Sequence, residues 1–246
     1  MNNSDDGLRK KFSGYSGNVD AWRRFLSCWY RQYVREGQDV NFSLIKRDVL
    51  GDSVDLAASE ESYQKKIDER QAALGVRFPM SYVHFLLAYQ PEESYPADGD
   101  DLNSYVRMVR VDELTRTESV LPELVRAGEE AAAGLTTGDA EYYVYGPRQD
   151  SVAIRPEYLG TSLLVGWHGF DHYEIVALHP EVLTADGEME AVKYDYVGAV
   201  RTVNFAELMR QTYRRQVLNW SRPPAEHELR STCAGMLPMD SWWSAP

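Results

Sequence analysis

The densest run of ligand-capable side chains is His168-Gly169-Phe170-Asp171-His172, with His179 a little further on. Imidazole and carboxylate groups this close can hold a divalent metal. A His-x-x-x-His pair does so from a helix, where residues i and i+4 share a face. Here Gly166 and Gly169 favour a loop, and on an alternating strand Asp171 and His172 would point to opposite faces. The spacing matches no recognised zinc pattern. The stretch therefore reads as a polar hairpin, and no metal or other cofactor is expected.

Other chemistries leave fewer traces. There is no glycine-rich phosphate loop, no G-x-S-x-G elbow and no cysteine set with a histidine in a local signature. Acidic pairs abound, so none is singled out as a glycosidase pair. The chain does not read as an enzyme. Cys28 and Cys233 are too few for a disulfide framework and read as ordinary thiols of a reducing compartment.

The 246 residues carry a net charge of −12. That balance argues against nucleic acid, whose phosphates need a basic surface. From Glu92 to Glu141 there are thirteen Asp or Glu against four Arg, so most of the surplus sits in one segment. It is either a solvated acidic loop or a docking surface for a basic partner, with electrostatic steering of encounter. No apolar run approaches the roughly 20 residues of a membrane span, and the N-terminus has no signal-peptide core. A cytoplasmic location is expected.

These residues must be positioned by elements legible as patterns. Residues 1–17 are polar and expected to be loose. Val19, Trp22, Phe25, Leu26, Trp29, Tyr30 and Tyr33 then follow helical spacing from Asn18, giving a helix with a core-facing aromatic stripe that Gly37 ends. The centre of the chain is Ile67 to Gln90, two helices joined by a tight corner. Tyr63, Ile67 and Leu74 mark the first, Tyr82, Phe85, Leu86 and Tyr89 the second. Ser59 is the expected N-cap, Gly75 the C-cap and Pro79 part of the next first turn. After an acidic loop, 104–111 reads as a strand, Pro122 opens a helix towards Gly134, and 142–146 is β-prone. Residues 147–160 read as turn and loop. Residues 162–166 and 171–178 read as strands separated by a short loop, a hairpin, an Asp186-Gly187 turn precedes a further strand through 191–198, and a final helix over 201–220 is capped by Asn204. The tail 221–246 ends in Trp242-Trp243 and either docks on the domain or reaches a partner.

Leu74, Gly75, Phe78, Pro79, Tyr82, Phe85 and Leu86 form the pattern LG-x-x-FP-x-x-Y-x-x-FL. It resembles the opening signature of the SUKH superfamily. Leu164, Val165, Gly166, Gly169, Asp171, Tyr173, Ile175, Val192, Tyr194, Asp195 and Phe205 resemble its second half. The likeness spans about Ser59 to Asn219, with one departure. Gln90-Pro91 stands where the family often has Asn-Gly or Gly-Gly. The resemblance implies an α+β fold, helices on a curved, mainly antiparallel sheet, over 59–220. Residues 1–58 would be an N-terminal helical extension.

Members of that superfamily are typically immunity proteins of bacterial polymorphic-toxin systems. The resemblance implies a binding protein that occludes a cognate, basic toxin. The expected contacts are the acidic loop with Glu92, Glu93, Tyr95, Asp98, Asp100 and Asp101, and the hairpin with Trp167, Phe170, Asp171 and His172. Tyr95, Trp167 and Phe170 would be anchors within an acidic rim. The alternatives are a non-catalytic regulatory or scaffold module of the same fold, and a metal-dependent hydrolase using His168, Asp171 and His172.

Overall fold

A computed structural model describes residues 15–35, 56–91, 107–131, 137–167, 174–195, 198–217 and 231–238. In chain order the helices are α1 (Val19–Arg35), α2 (Leu56–Leu74), α3 (Met80–Tyr89), α4 (Thr117–Val120), α5 (Pro122–Ala131), α6 (Asp139–Tyr142), α7 (Glu157–Thr161) and α8 (Phe205–Val217). The strands are β1 (Arg107–Met108), β2 (Thr115–Arg116), β3 (Leu163–Trp167), β4 (Ile175–Leu183), β5 (Met189–Asp195) and β6 (Gly198–Thr202). The fold is α+β. Its open antiparallel sheet runs β1-β3-β4-β5-β6, with β2 also on β3. β1 and β2 share one edge of β3 because a 3₁₀ turn, Val111–Glu113, interrupts the chain between them.

Period-two alternation gives the sheet two buried faces. Leu163, Val165, Val176, Leu178, Met189 and Ala191 join the larger core with α1, α2, α3 and α8. Leu164, Ile175, Ala177, Val192 and Tyr194 face the other way, against Leu121, Val125 and Leu159. The larger core is aromatic. Trp22 lies 5.2 Å from the Phe85 ring and 5.8 Å from Phe205, and Tyr82 lies 4.9 Å from Phe205. Trp22, Phe25, Leu26 and Trp29 of the expected stripe are thus internal, with Val19 and Tyr30 partly buried against them, and α1 belongs to the same core as the helical corner; the Tyr33 side chain lies outside the described residues. An ion pair between Arg23 and Glu60 ties α1 to α2.

The corner forms as its sequence dictates at one end and is completed in trans at the other. Gly75 takes the left-handed backbone, φ +63°, that closes α2. Pro79 is the extended residue just before α3 rather than part of its first turn, and supplies no side-chain cap. Glu188, on the turn before β5, caps instead. Its carboxylate accepts from the Ser81 backbone N–H at 2.9 Å and from the Ser81 hydroxyl. Burial pushes the Glu188 carboxyl up. Asn204 caps α8 as expected, accepting from the Glu207 N–H at 2.9 Å.

Several expectations are corrected. α2 starts at Leu56, so Ser59 lies inside it, and its hydroxyl donates to Gln90 Oε1 at 3.0 Å. Of the 104–111 strand, Arg107–Met108 forms a strand, Val109 adds a bridge with its N–H donating to the Val165 carbonyl at 2.9 Å, Val111 has entered the 3₁₀ turn, and 104–106 fall outside the described residues. The β-prone run 142–146 contains the end of α6 and no strand. Tyr142 and Tyr143 instead bury against Val182, since β propensity mostly measures packing on a pleated surface. Most of the expected loop at 155–160 is helical, because α7 starts at Glu157. Arg201 and Thr202, expected in the last helix, are the end of β6, paired to Val192 and Ala191. Gly166 is required by close approach, because a Cβ there would meet the Arg107 carbonyl at 2.5 Å.

The cysteines are the largest correction. Cys28 of α1 and Cys233 of the 3₁₀ turn Cys233–Met236 form a disulfide across 205 positions. Their separation in sequence hid a pairing that folding creates. Closing a loop that long stabilises by about 5 kcal/mol on the chain-entropy account. Cys233, Ala234 and Leu237 are buried in the larger core, so the described part of the tail, residues 231–238, docks here. Trp242 and Trp243 lie outside the described residues.

Candidate functional site

The sheet gathers three connections at one end. Trp167 at the end of β3 pairs with Arg107 at the start of β1 on one side and Ile175 at the start of β4 on the other. Asp195 closes β5 opposite Gly198 of β6. Antiparallel order therefore makes 92–106, 168–173 and 196–197 depart from or return to neighbouring positions. Glu92, Glu93, Tyr95, Asp98, Asp100, Asp101, Phe170, Asp171 and His172 lie outside the described residues, as does His168. Trp167 is described and is 2% exposed in the larger core. Its ring packs into the larger core, so the expectation that it anchors a partner is corrected: a side chain this buried has no surface left to offer.

Beside this end, Tyr63, Lys66, Gln90, Pro91, Arg110, Val111 and Asp112 line a groove of about 360 Å³. The sequence reading did not single it out as a site, because its walls come from α2, the exit of α3 and the 3₁₀ turn. Arg110 grips Asp112 through Nη2–Oδ2 at 2.5 Å and Nε–Oδ1 at 3.1 Å. Hydrogen bonding to Arg110 holds the Asp112 carboxyl below its usual range. Lys66 stands 5.7 Å from the Tyr63 ring centroid, and Arg70 reaches the Leu114 carbonyl at 2.5 Å. The groove rim therefore mixes both signs of charge around aromatic and aliphatic walls. Such a rim can orient a polar partner segment.

The second concentration of chemistry lies on the sheet's other face. His179 and Glu190 are register partners on β4 and β5, and Tyr194 shares their face four residues along β5. His179 Nδ1 is 2.8 Å from Glu190 Oε2, and the Tyr194 hydroxyl is 3.0 Å from Nε2. With Nδ1–H donated to Glu190, Nε2 of a neutral ring accepts from Tyr194. Tyr142 and Tyr145 donate to the two Glu190 oxygens at 2.6 and 2.9 Å. Burial, then the Glu190 charge, pushes the Tyr142, Tyr145 and Tyr194 phenols up, so they stay donors. Arg201 and Arg155 lie 4.4 and 4.7 Å from the Tyr142 ring centroid.

A carboxylate–imidazole–hydroxyl chain is the architecture of a proton relay. Here His179 and Glu190 are each 1% exposed, and every oxygen and nitrogen of the chain already has a protein partner. The arrangement fixes α6 and the residues after it to the sheet. Sequence proximity had grouped His179 with His168 and His172, and the structure assigns it to Glu190 instead. The signal for Glu190 was its parity with Val192 and Tyr194, which places a carboxylate on a buried face.

Among the described residues no three His, Cys, Asp or Glu side chains cluster to hold a metal, and no helix is long and apolar enough to cross a membrane. No protein-family model and no curated protein matches this chain.

Proposed function

We propose that this protein is an immunity protein, which binds a cognate antibacterial toxin and covers its active site. The supporting observation is the Arg107–Trp167–Ile175 register. It sets Arg107, which follows in sequence the acidic stretch holding Glu92, Glu93, Tyr95, Asp98, Asp100 and Asp101, next to Trp167 and Ile175, which flank in sequence the connection holding Phe170, Asp171 and His172. Two stretches far apart in sequence can then serve one contact surface, with the rigid sheet beneath holding their roots in place. The order of elements, helical corner first and antiparallel sheet after, agrees with what the SUKH resemblance implies. The partner is proposed to be basic, and the action cytoplasmic and non-catalytic. Acidic residues on the rim would raise the association rate and make it fall with salt.

The test is co-purification with the product of the neighbouring reading frame, followed by calorimetry. A tight one-to-one complex is expected. Replacing Glu92, Glu93, Asp98, Asp100 and Asp101 together by Lys should slow association at least about tenfold at low salt. Absence of a complex, or charge reversal without effect on association, would count against the reading.

A further inference from the structure

We propose that the Cys28–Cys233 disulfide is a reversible latch, opened by a low-molecular-weight acidic thiol that attacks Cys28. The two sulfurs differ in access. Cys28 is partly exposed, whereas Cys233 is 1% exposed within the core. Beside them lies a recess of about 440 Å³ lined by Cys28, Arg31, Gln32, Thr232, Cys233 and Met236, together with Ser231. That volume admits a small peptide-sized thiol. Arg31, exposed on the same helix, supplies a cation for its carboxylates and for the thiolate. Gln32 is fixed at the wall, because its side-chain oxygen accepts the Tyr213 hydroxyl at 2.6 Å.

The exchange balances without a further oxidant. The incoming thiolate bonds to Cys28 Sγ, the Cys28–Cys233 bond breaks, and Cys233 leaves as a thiolate that takes a proton from water. A second thiolate attacks the outer sulfur of the mixed disulfide and forms the small-molecule disulfide. Cys28 is released and protonated. Two small thiols are oxidised and one protein disulfide is reduced. What the bond holds is the 3₁₀ segment, whose Cys233, Ala234 and Leu237 sit in the larger core. Opening the latch lets this segment leave α1. The inference stands on the disulfide and its recess and does not depend on a toxin partner. It also reconciles the bond with a cytoplasmic location, where a fixed disulfide would be unusual.

Glutathione is the probe. The native full-length protein is incubated with it, quenched by alkylation and mapped by mass spectrometry. A mixed disulfide on Cys28 and none on Cys233 is expected, and an adduct on Cys233, or reduction only in denaturant, would overturn the proposal. In C233S, oxidised glutathione should modify Cys28 at least about tenfold faster than it modifies Cys233 in C28S. Equal rates would count against it. R31E should slow reduction by glutathione several-fold more than reduction by dithiothreitol, which also attacks as a thiolate but carries no carboxylates. If both rates change alike, the recess does not recognise an acidic thiol. The wild-type protein gives an independent readout, because limited proteolysis should cut within 231–238 only after reduction. Continued protection of that segment would refute its release.

Discussion

The two faces of the sheet solve the same burial problem by different means. The face under α1, α3 and α8 is filled by interlocking rings, among them Trp22, Phe25, Tyr82, Phe85 and Phe205, with Leu and Val between them. Its stabilisation is transfer of apolar surface plus dispersion, spread over many contacts. The face under α5, α6 and α7 is part apolar and part ionic, built on His179, Glu190, Tyr142, Tyr145 and Tyr194. There each hydrogen bond adds little net stability, but leaving any partner unsatisfied costs the whole desolvation of that group. The first face tolerates substitution in proportion to volume. The second tolerates almost no loss of a member and fixes one geometry for the segments it holds.

The largest expected effect tests the aromatic face. Trp22→Ala removes the side chain that meets Phe25, Phe85 and Phe205 and should cost about 4 kcal/mol in urea unfolding. A loss under about 1 kcal/mol would mean α1 is not part of the core. Next comes Glu190→Ala, which strands two phenols and an imidazole in the interior, at about 3 kcal/mol. Glu190→Gln keeps the volume and should cost less. If the two variants are equally stable, the polar face is held by packing alone and the contrast fails.

Smaller, at about 1 kcal/mol, is Tyr194→Phe, which leaves His179 Nε2 without its donor. The smallest effect is a slope. Burial raises the Glu188 carboxyl above its ordinary value, so the folded state disfavours its charge. Its contribution is most favourable below the unfolded pKa and declines as pH rises through the folded one. The stability difference between wild type and Glu188→Gln should therefore drift against wild type from about pH 4.5 upward. A flat difference across that window would show that the Ser81 bonds offset the burial.

The same contrast explains which parts of the molecule were legible. Helical spacing marked α1 and the corner from Tyr63 to Tyr89, and the SLLVG and DHYEIVAL runs marked the β3–β4 hairpin, because apolar periodicity is written locally. The Tyr142–Gly146 run misled for a related reason. β-prone tyrosines there are needed as hydroxyl donors to Glu190, not as strand formers. Arg201 and Thr202 read as part of the final helix although its cap, Asn204, lies after them, because their pairing with β5 is a long-range contact. At the candidate contact surface, charge and composition selected the acidic stretch. Neither could show that Trp167 faces inward or that Lys66, Arg110 and Asp112 line a groove beside it.

By itself, the order of residues determined the apolar stripes, the glycine that closes α2, the Asn204 cap and the concentration of negative charge in one segment. Each depends on neighbours within a turn or a strand. The tertiary structure alone decided the Cys28–Cys233 bond, the Glu188 cap on α3, the His179–Glu190 pair and the neighbouring positions of Arg107, Trp167 and Ile175. Each joins groups from different elements, and chain closure over such separations becomes favourable only when the whole core forms at once.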